Sequence, residues 1–183
     1  MEPDAKIDSY IEGKTVNLRD VEISDAEFIL SLRLNPERNR FIHSTDSDVE
    51  AQKEYLRRYK EKKDEYYWII EGKNGLPYGV VRIYDFQKDS FCPGSWITKP
   101  GVPLTVGMEG LFHAFHFGFF RLGFVHAHYD VRKANKSVVR FHKRIGAVVT
   151  SEDDENCYFS LPREVFSQSV KIWSDLLGFE LND

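Results

Sequence analysis

The stretch YYWIIEGKNGLPYGVVRIYDF, residues 66–86, constrains the fold more than any other part of the chain. Two runs rich in aromatic and β-branched residues flank an Asn-Gly turn, the pattern of an antiparallel hairpin. GSWITKP supplies a third strand closed by Pro100, so the centre reads as an antiparallel meander. Before it, TVNLRDVEI alternates Val16, Leu18, Val21 and Ile23 imperfectly against polar residues, an opening strand. SDAEFILSLRL then starts a helix, with Ser24 as N-cap, Glu27 completing a capping box, and Phe28, Ile29 and Leu32 as the apolar stripe. A second, strongly charged helix follows in DVEAQKEYLRRYKEKKDE, with Val49, Tyr55, Leu56 and Tyr59 towards the core.

After the meander the pattern changes to βα units. VGMEGLFHAFHFGFFRLG carries Met108, Leu111, Phe112, Phe115 and Phe119 at helical spacing, with Gly123 as the stop. FVHAHYDVR is a strand, Asn135 to Gly146 a helix, AVVTS and CYFSLP a closing hairpin, and REVFSQSVKIWSDLLGF a last helix. Strands in a meander followed by βα units predict an α/β sandwich with a mixed sheet. No repeat or Gly/Ser-rich linker divides the 183 residues, so a single domain is expected.

Hydrophobic content of 42% with 30% charged residues is that of a globular protein with a real core. A net charge of −4 and a pI near 5.9 argue against non-specific nucleic-acid binding. Cys92 and Cys157 lack C-x-x-C spacing and so predict neither a disulfide framework nor a zinc site, which fits a reducing compartment. MEPDAKIDSY has neither the basic nor the apolar region of a secretory leader, and no run is long enough to span a membrane. A cytoplasmic location is therefore expected.

In HAHYD, the side chains of His126, His128 and Asp130 alternate onto one strand face, the types that ligate transition metals. No fourth ligand follows at a matching spacing, so the expectation is a polar strand face and no metal. His113 and His116, with Glu109 before them, read as a solvated helix face. Cys92 precedes Pro93 without a histidine at diagnostic spacing, which speaks against a catalytic thiol. No P-loop, dinucleotide fingerprint or nucleophile elbow is present.

NKSVVRFHKRIGA, residues 135–147, is more specific. At 100° per residue Val138, Phe141, His142 and Ile145 share one sector, and Lys136, Arg140, Lys143 and Arg144 lie opposite. Asn135 and His142, seven residues apart, stack within about 20° at the edge of the apolar stripe. An N-cap asparagine and a half-buried histidine would satisfy the same spacing.

WITKP, MEGLFHAFHFGF and NKSVVRFHKRIGA together resemble the last half of the Gcn5-related N-acetyltransferase (GNAT) superfamily. VNLRDVEISDAEFILSLRLNPE is similar to the opening of the branch that acetylates ribosomal-protein N-termini and nucleotide-linked amino sugars. The resemblance spans roughly residues 14–163, leaving 164–183 as a C-terminal helical appendage. It implies a three-layer α/β sandwich with a mixed, largely antiparallel sheet, and acetyl-CoA as acetyl donor.

By that resemblance, the strand at Trp96, Ile97 and Thr98 pairs with the pantetheine arm. The helix start at Val106, Gly107 and Met108 cradles the pyrophosphate. The turn KPGVPLTVGMEG departs from the family's basic, glycine-rich pattern, because Pro103 and Leu104 stand where a basic residue or glycine is expected. Pro103 also removes an amide donor. Lys99, Arg140 or Lys143 would then meet the phosphates.

Asn135 matches the family's cofactor-touching asparagine, and His142 falls where a tyrosine protonates the departing thiolate, which makes His142 the candidate acid. Asp85, Tyr84 and His128 are candidate bases. Arg33, Asn35 and His43 lie where the family walls its acceptor pocket, and an arginine there suits an anionic acceptor. The expected reaction is acetylation of a small-molecule primary amine, with a nucleotide-linked amino sugar as the favoured acceptor. An N-terminal acetyltransferase and a non-catalytic acyl-CoA-binding protein are the alternatives. The last helix, with Phe166, Trp173 and Phe179, has aromatic surface for the domain itself or for a second subunit.

Overall fold

The apolar runs on either side of Asn74-Gly75 form two full strands whose turn places Gly75 at φ +76. A computed structural model describes residues 6–37, 47–178 and 181 of the chain. Strands β1 (Ile11–Glu12) and β2 (Val16–Asp20) lead into helices α1 (Ala26–Leu34) and α2 (Val49–Glu61). The meander β3 (Tyr66–Gly72), β4 (Pro77–Tyr84) and β5 (Ser90–Thr98) follows. Helix α3 (Leu104–His116) continues into a π-helical turn, Phe117–Arg121, before β6 (His126–Arg132) and α4 (Lys136–Arg144). A hairpin of β7 (Val148–Glu152) and β8 (Asn156–Pro162), then α5 (Arg163–Leu177), complete the described elements.

The strands form one sheet in the order β1-β2-β3-β4-β5-β6-β8-β7. Among the described residues β5–β6 is the one parallel pair, and α3 provides the crossover that a parallel connection needs. The sheet is therefore mixed and largely antiparallel, as expected.

Each face of the sheet buries its own core, which makes three layers. Ile29 and Leu32 of α1 and Leu56 and Tyr59 of α2 pack on Tyr67, Ile69, Val80 and Ile97. On the other face Leu111, Phe112 and Phe115 of α3, Ile145 and Phe166 pack on Leu18, Trp68, Ile70, Val81 and Phe91. Gly118 lets the π turn lie on the sheet, since a Cβ there would sit 2.5 Å from Phe91 Cζ. Phe166, 1% exposed, anchors α5 in this core.

Two local expectations change. The capping box falls two residues earlier than Ser24 and Glu27: the Glu22 amide donates to Asp25 Oδ2 at 2.7 Å, and Asp25 is N-cap of α1. Asp25 is fixed there because Arg19 grips it with both guanidinium nitrogens, at 2.8 and 2.9 Å. Glu109, His113 and His116 are not a solvated face; they are 1%, 2% and 9% exposed. The β1–β2 turn folds over α3 and caps Glu109, which accepts from the Thr15 amide at 3.0 Å and from the Thr15 hydroxyl.

Candidate active site

Phe91 and Trp96 of β5 pack on the same face of the sheet, while Ile97 belongs to the opposite core. Residues five apart in a regular strand point to opposite faces, so one residue must be extra. That residue lies at Ser95, which has φ +48, and the register jumps from Arg82↔Gly94 to Val80↔Ile97. A β-bulge leaves its extra residue outside the ladder, so backbone donors at this point are free for another partner. The Tyr84 ring lies over neighbouring Gly94, where a Cβ would be 2.7 Å from Tyr84 Cε1.

Strands β5 and β6 pair only at Ser90↔His126 and Phe91↔Ala127, then part. The gap is a cleft of about 280 Å³. Its walls include Pro93, Gly94 and Trp96 from β5, Tyr129 from β6, and Asn135 and His142 at the two ends of α4. Asn135 is the N-cap, its Oδ1 accepting from the Val138 amide at 3.5 Å. Cap and cleft wall are thus compatible roles for one side chain.

His142 is 5% exposed, and its ring packs against Tyr129, Phe141 and Phe159. Its Nδ1 lies 2.8 Å from the Tyr129 hydroxyl. Burial pushes the imidazole down to about 3, so the ring is neutral at pH 7. The sign of the linkage follows. Unfolded, the group titrates near about 6.5, so below that pH the unfolded chain binds the extra proton and stability falls as pH drops towards 3. Lowering the pH from 7 to 5 should cost about 2 kcal/mol through this group, and His142→Phe should remove that part. Urea unfolding at the two pH values checks it; an equal loss in both proteins contradicts the assignment.

The basic residues expected to meet phosphates, Lys99, Arg140 and Lys143, are not among those lining the cleft. Lys143 acts on Glu152 and Cys157 near β7 and β8, and neither it nor Arg140 lines the cleft. The cation at the cleft is Arg132, paired with Glu155 at 2.6 Å, a residue that no spacing rule singles out. Met108 is 3% exposed and Ile97 6%, so both offer backbone rather than side chain. Trp96 Nε1 donates to the Gly107 carbonyl at 2.9 Å, locking the cleft wall to the first turns of α3. Gly107 also lies close to Thr98, with an added Cβ 3.1 Å from Thr98 Cγ2. Val106 packs partly buried on the same core. Pro103 is the N-cap of α3, one position before the helix, so its missing amide removes none of the first-turn donors. No acidic residue sits in that turn, and Gly101 at φ +83 has open space around its Cα.

On the face covered by α1 and α2, Arg82 donates to Tyr55 Oη at 2.6 Å and Glu65 Oε1 at 3.0 Å, with its guanidinium 3.9 Å from the Tyr84 ring centroid. Burial raises the Tyr84 hydroxyl above its usual value, and the Cys92 thiol, pushed up to about 11 by burial, lies against it. Beside them His128 is held on both ring nitrogens, by Ser90 Oγ at 2.8 Å and Asp85 Oδ2 at 3.0 Å. The hydrogen bond from His128 keeps Asp85 below the usual carboxylate range. Asp85 itself is at φ 50. The structure thus brings Tyr84, Asp85 and His128 to one corner, with Gly94 between that corner and the cleft. Arg33, at the end of α1, is close enough to Tyr67 to act on its hydroxyl. Asn35 caps α1 and accepts from the Glu37 amide at 2.9 Å. His43 lies outside the described residues. Among the described residues no three His, Cys, Asp or Glu side chains are grouped to hold a metal ion.

A family model described as an acetyltransferase (GNAT) domain matches residues 15–148. The chain belongs to the GNAT acetyltransferases. Among solved structures, this acetyltransferase is similar to apo FdhC, a nucleotide-linked sugar GNAT, with 37% identity and a TM-score of 0.83 over 92% of this chain and 98% of that one. A GCN5-related N-acetyltransferase from Brucella melitensis aligns at 13% identity and TM-score 0.77, covering 94% and 87%. A dodecameric spermidine N-acetyltransferase from Vibrio cholerae aligns at 14% and 0.70, covering 82% and 95%. At such identities these two show the fold alone. No curated protein sequence matches. No helix of the described residues is long and apolar enough to cross a membrane.

The donor of this family, acetyl-CoA, fits the residues of this acetyltransferase. The parted strands leave a cleft for a thin arm, and the α3 start, with no acidic residue in its first turn, offers helix N-terminal amides to an anion.

Proposed function

We propose that this acetyltransferase transfers acetyl from acetyl-CoA to the primary amine of a nucleotide-linked amino sugar. The observation that carries the acceptor class is the 37% identity, over nearly the whole of both chains, to a nucleotide-linked sugar GNAT. The polar corner of Arg82, Tyr84, Asp85 and His128 beside the cleft supports it, since a sugar amine needs an anionic dock and hydroxyl partners.

When bound, acetyl-CoA supplies the activated thioester carbonyl. The backbone of Trp96, Ile97 and Thr98 would align the arm, and the amides of Leu104 and Thr105 at the start of α3 would hold the pyrophosphate, with Val106, whose amide donates to the Pro103 carbonyl at 3.1 Å, and Gly107 shaping the turn. Asn135 closes the cleft from α4. The amides freed at the Ser95 bulge face the charge that develops on the carbonyl oxygen. Asp85, ionised at neutral pH, docks the acceptor ammonium, and His128, clamped by Ser90, relays its proton outward. Tyr84 walls the amine against Gly94, while Arg33 and Asn35 at the end of α1 meet the nucleotide portion.

A thiol-release assay with acetyl-CoA and a panel of acceptors tests this reading. Turnover is expected with nucleotide-linked amino sugars and not with spermidine or ribosomal-protein N-terminal peptides. Turnover of the peptides alone would move the chain to N-terminal acetylation. Acetyl-CoA binding without turnover of any amine would leave an acyl-CoA-binding protein.

A further inference from the structure

The cleft between the parted strands is short of positive charge. Two carboxylates line it, Asp130 and Glu155, and Arg132 is the one lysine or arginine among its described lining residues. The start of α3 offers amides but no basic side chain, its first turn being Leu104, Thr105, Val106 and Gly107. Phosphates brought to this mouth face two like charges unless Arg132 meets them.

Arg132 ends β6, and its carbonyl accepts from the Asn135 amide at 2.8 Å, which sets it beside the N-cap of α4. Its guanidinium is held by an anion of the protein's own, Nη1 donating to Glu155 Oε2 at 2.6 Å. Glu155 belongs to the acidic turn Glu152-Asp153-Asp154-Glu155 between β7 and β8. Hydrogen bonds pin that turn. Asp153 Oδ1 accepts from the Glu155 and Asn156 amides at 2.8 and 2.7 Å, and Oδ2 accepts from the Tyr158 hydroxyl at 2.6 Å. The Lys133 amide donates to the Glu155 carbonyl at 2.7 Å and ties the turn to the end of β6. The carboxylate is therefore fixed at the cleft mouth by backbone, whereas the ion pair itself is weak. Arg132 is 35% exposed and Glu155 70%, and pairs so open to water contribute little. A phosphate offers the same guanidinium more charge and a bidentate fit.

We infer that Arg132 binds the phosphates of acetyl-CoA and that Glu155 is a built-in competitor, a carboxylate that occupies the arginine until a phosphate replaces it. This rests on the acetyl-CoA reading of the same cleft. The exchange moves the guanidinium from one anion to another and leaves Glu155 to water, where its exposure already places most of it.

Calorimetric binding of acetyl-CoA, with no acceptor present, tests both halves. Arg132→Gln should weaken binding at least ~10-fold, because it removes a charge-assisted pair and leaves Asp130 and Glu155 facing the phosphates. Arg132→Lys should fall between the two, keeping the charge without the fork. Glu155→Gln should tighten binding about 3-fold, the scale of an exposed pair. In the Arg132→Gln background the same change should have no effect, since the competitor acts only through the arginine. Weaker binding in Glu155→Gln would show that the carboxylate merely positions Arg132 and would overturn the competitor. Because Glu155 is exposed and its backbone holds the turn, this arm stands even if Arg132→Gln fails to fold. Unchanged affinity in an Arg132→Gln protein that unfolds cooperatively would overturn the assignment and leave the acetyltransferase reading intact. A raised acceptor KM in that same protein would give the arginine to the acceptor's phosphates instead. A wild-type protein that fails to bind acetyl-CoA would overturn both readings.

Discussion

Ser95→Pro should lower kcat/KM for acetyl transfer by roughly 100- to 1,000-fold, the scale of losing an oxyanion donor, while Ser95→Gly stays close to wild type. Ser95 sits at φ +48 as the extra residue of the β5 bulge. Glycine enters that region without penalty, whereas proline is locked near about −65° and cannot. The bulge sets two things at once. It frees strand amides at the point where β5 and β6 part, and it shifts the parity so that Trp96 reaches Gly107 and Phe141 rather than the α1–α2 core. Steady-state kinetics and calorimetric acetyl-CoA binding on variants that still unfold cooperatively separate chemistry from binding. A Ser95→Pro protein with near wild-type kcat would remove the bulge from the mechanism.

Phe115→Ala should cost about 3–5 kcal/mol of stability and lower Tm by roughly 10 °C. Phe115 is fully buried, and its ring meets Phe91, Phe119, Tyr129 and Phe166 at centroid distances of 5.5 to 6.2 Å. It therefore ties β5, the π turn, β6 and α5 into one core, and interiors packed this way collapse poorly around a missing ring. Because Tyr129 leans on the same ring, activity at temperatures where the variant is still folded should fall as well. Urea unfolding gives the first number, and a loss below about 1 kcal/mol would show that the site relaxes to fill the gap.

The elements of the fold were legible in the sequence because each carries its own period. Alternation along residues 66–84 and the apolar stripe at Met108, Leu111, Phe112 and Phe115 are local signals that burial of one face enforces. Asn135 was legible for the same reason, since an N-cap is decided within one turn of its helix. A cofactor role for it is what the family resemblance implies, and spacing alone does not give one.

Other features depended on partners distant in sequence. Glu109, His113 and His116 read as solvent-facing, yet the β1–β2 turn, almost a hundred residues earlier, covers them. The Ser95 bulge leaves no mark in GSWITKP, because one extra residue shows only when Val80 and Arg82 are paired with it. HAHYD was read for the face carrying His126, His128 and Asp130, while Tyr129 on the other face became visible only when α4 was laid against β6. Arg132, rather than Arg140 or Lys143, lines the cleft because chain direction at the β6 end, not charge density, aims the side chain.

The sequence by itself determined the mixed α/β layering and the helix that ends at Gly146, since periodicity and capping act over a few residues; the acetyltransferase family entered through resemblance. Only the tertiary structure decided which groups share a dielectric. His142 became a neutral ring on Tyr129, and Asp85 became a carboxylate held ionised by His128. Protonation states follow burial and neighbours, and neither is a property of the residue's place in the chain.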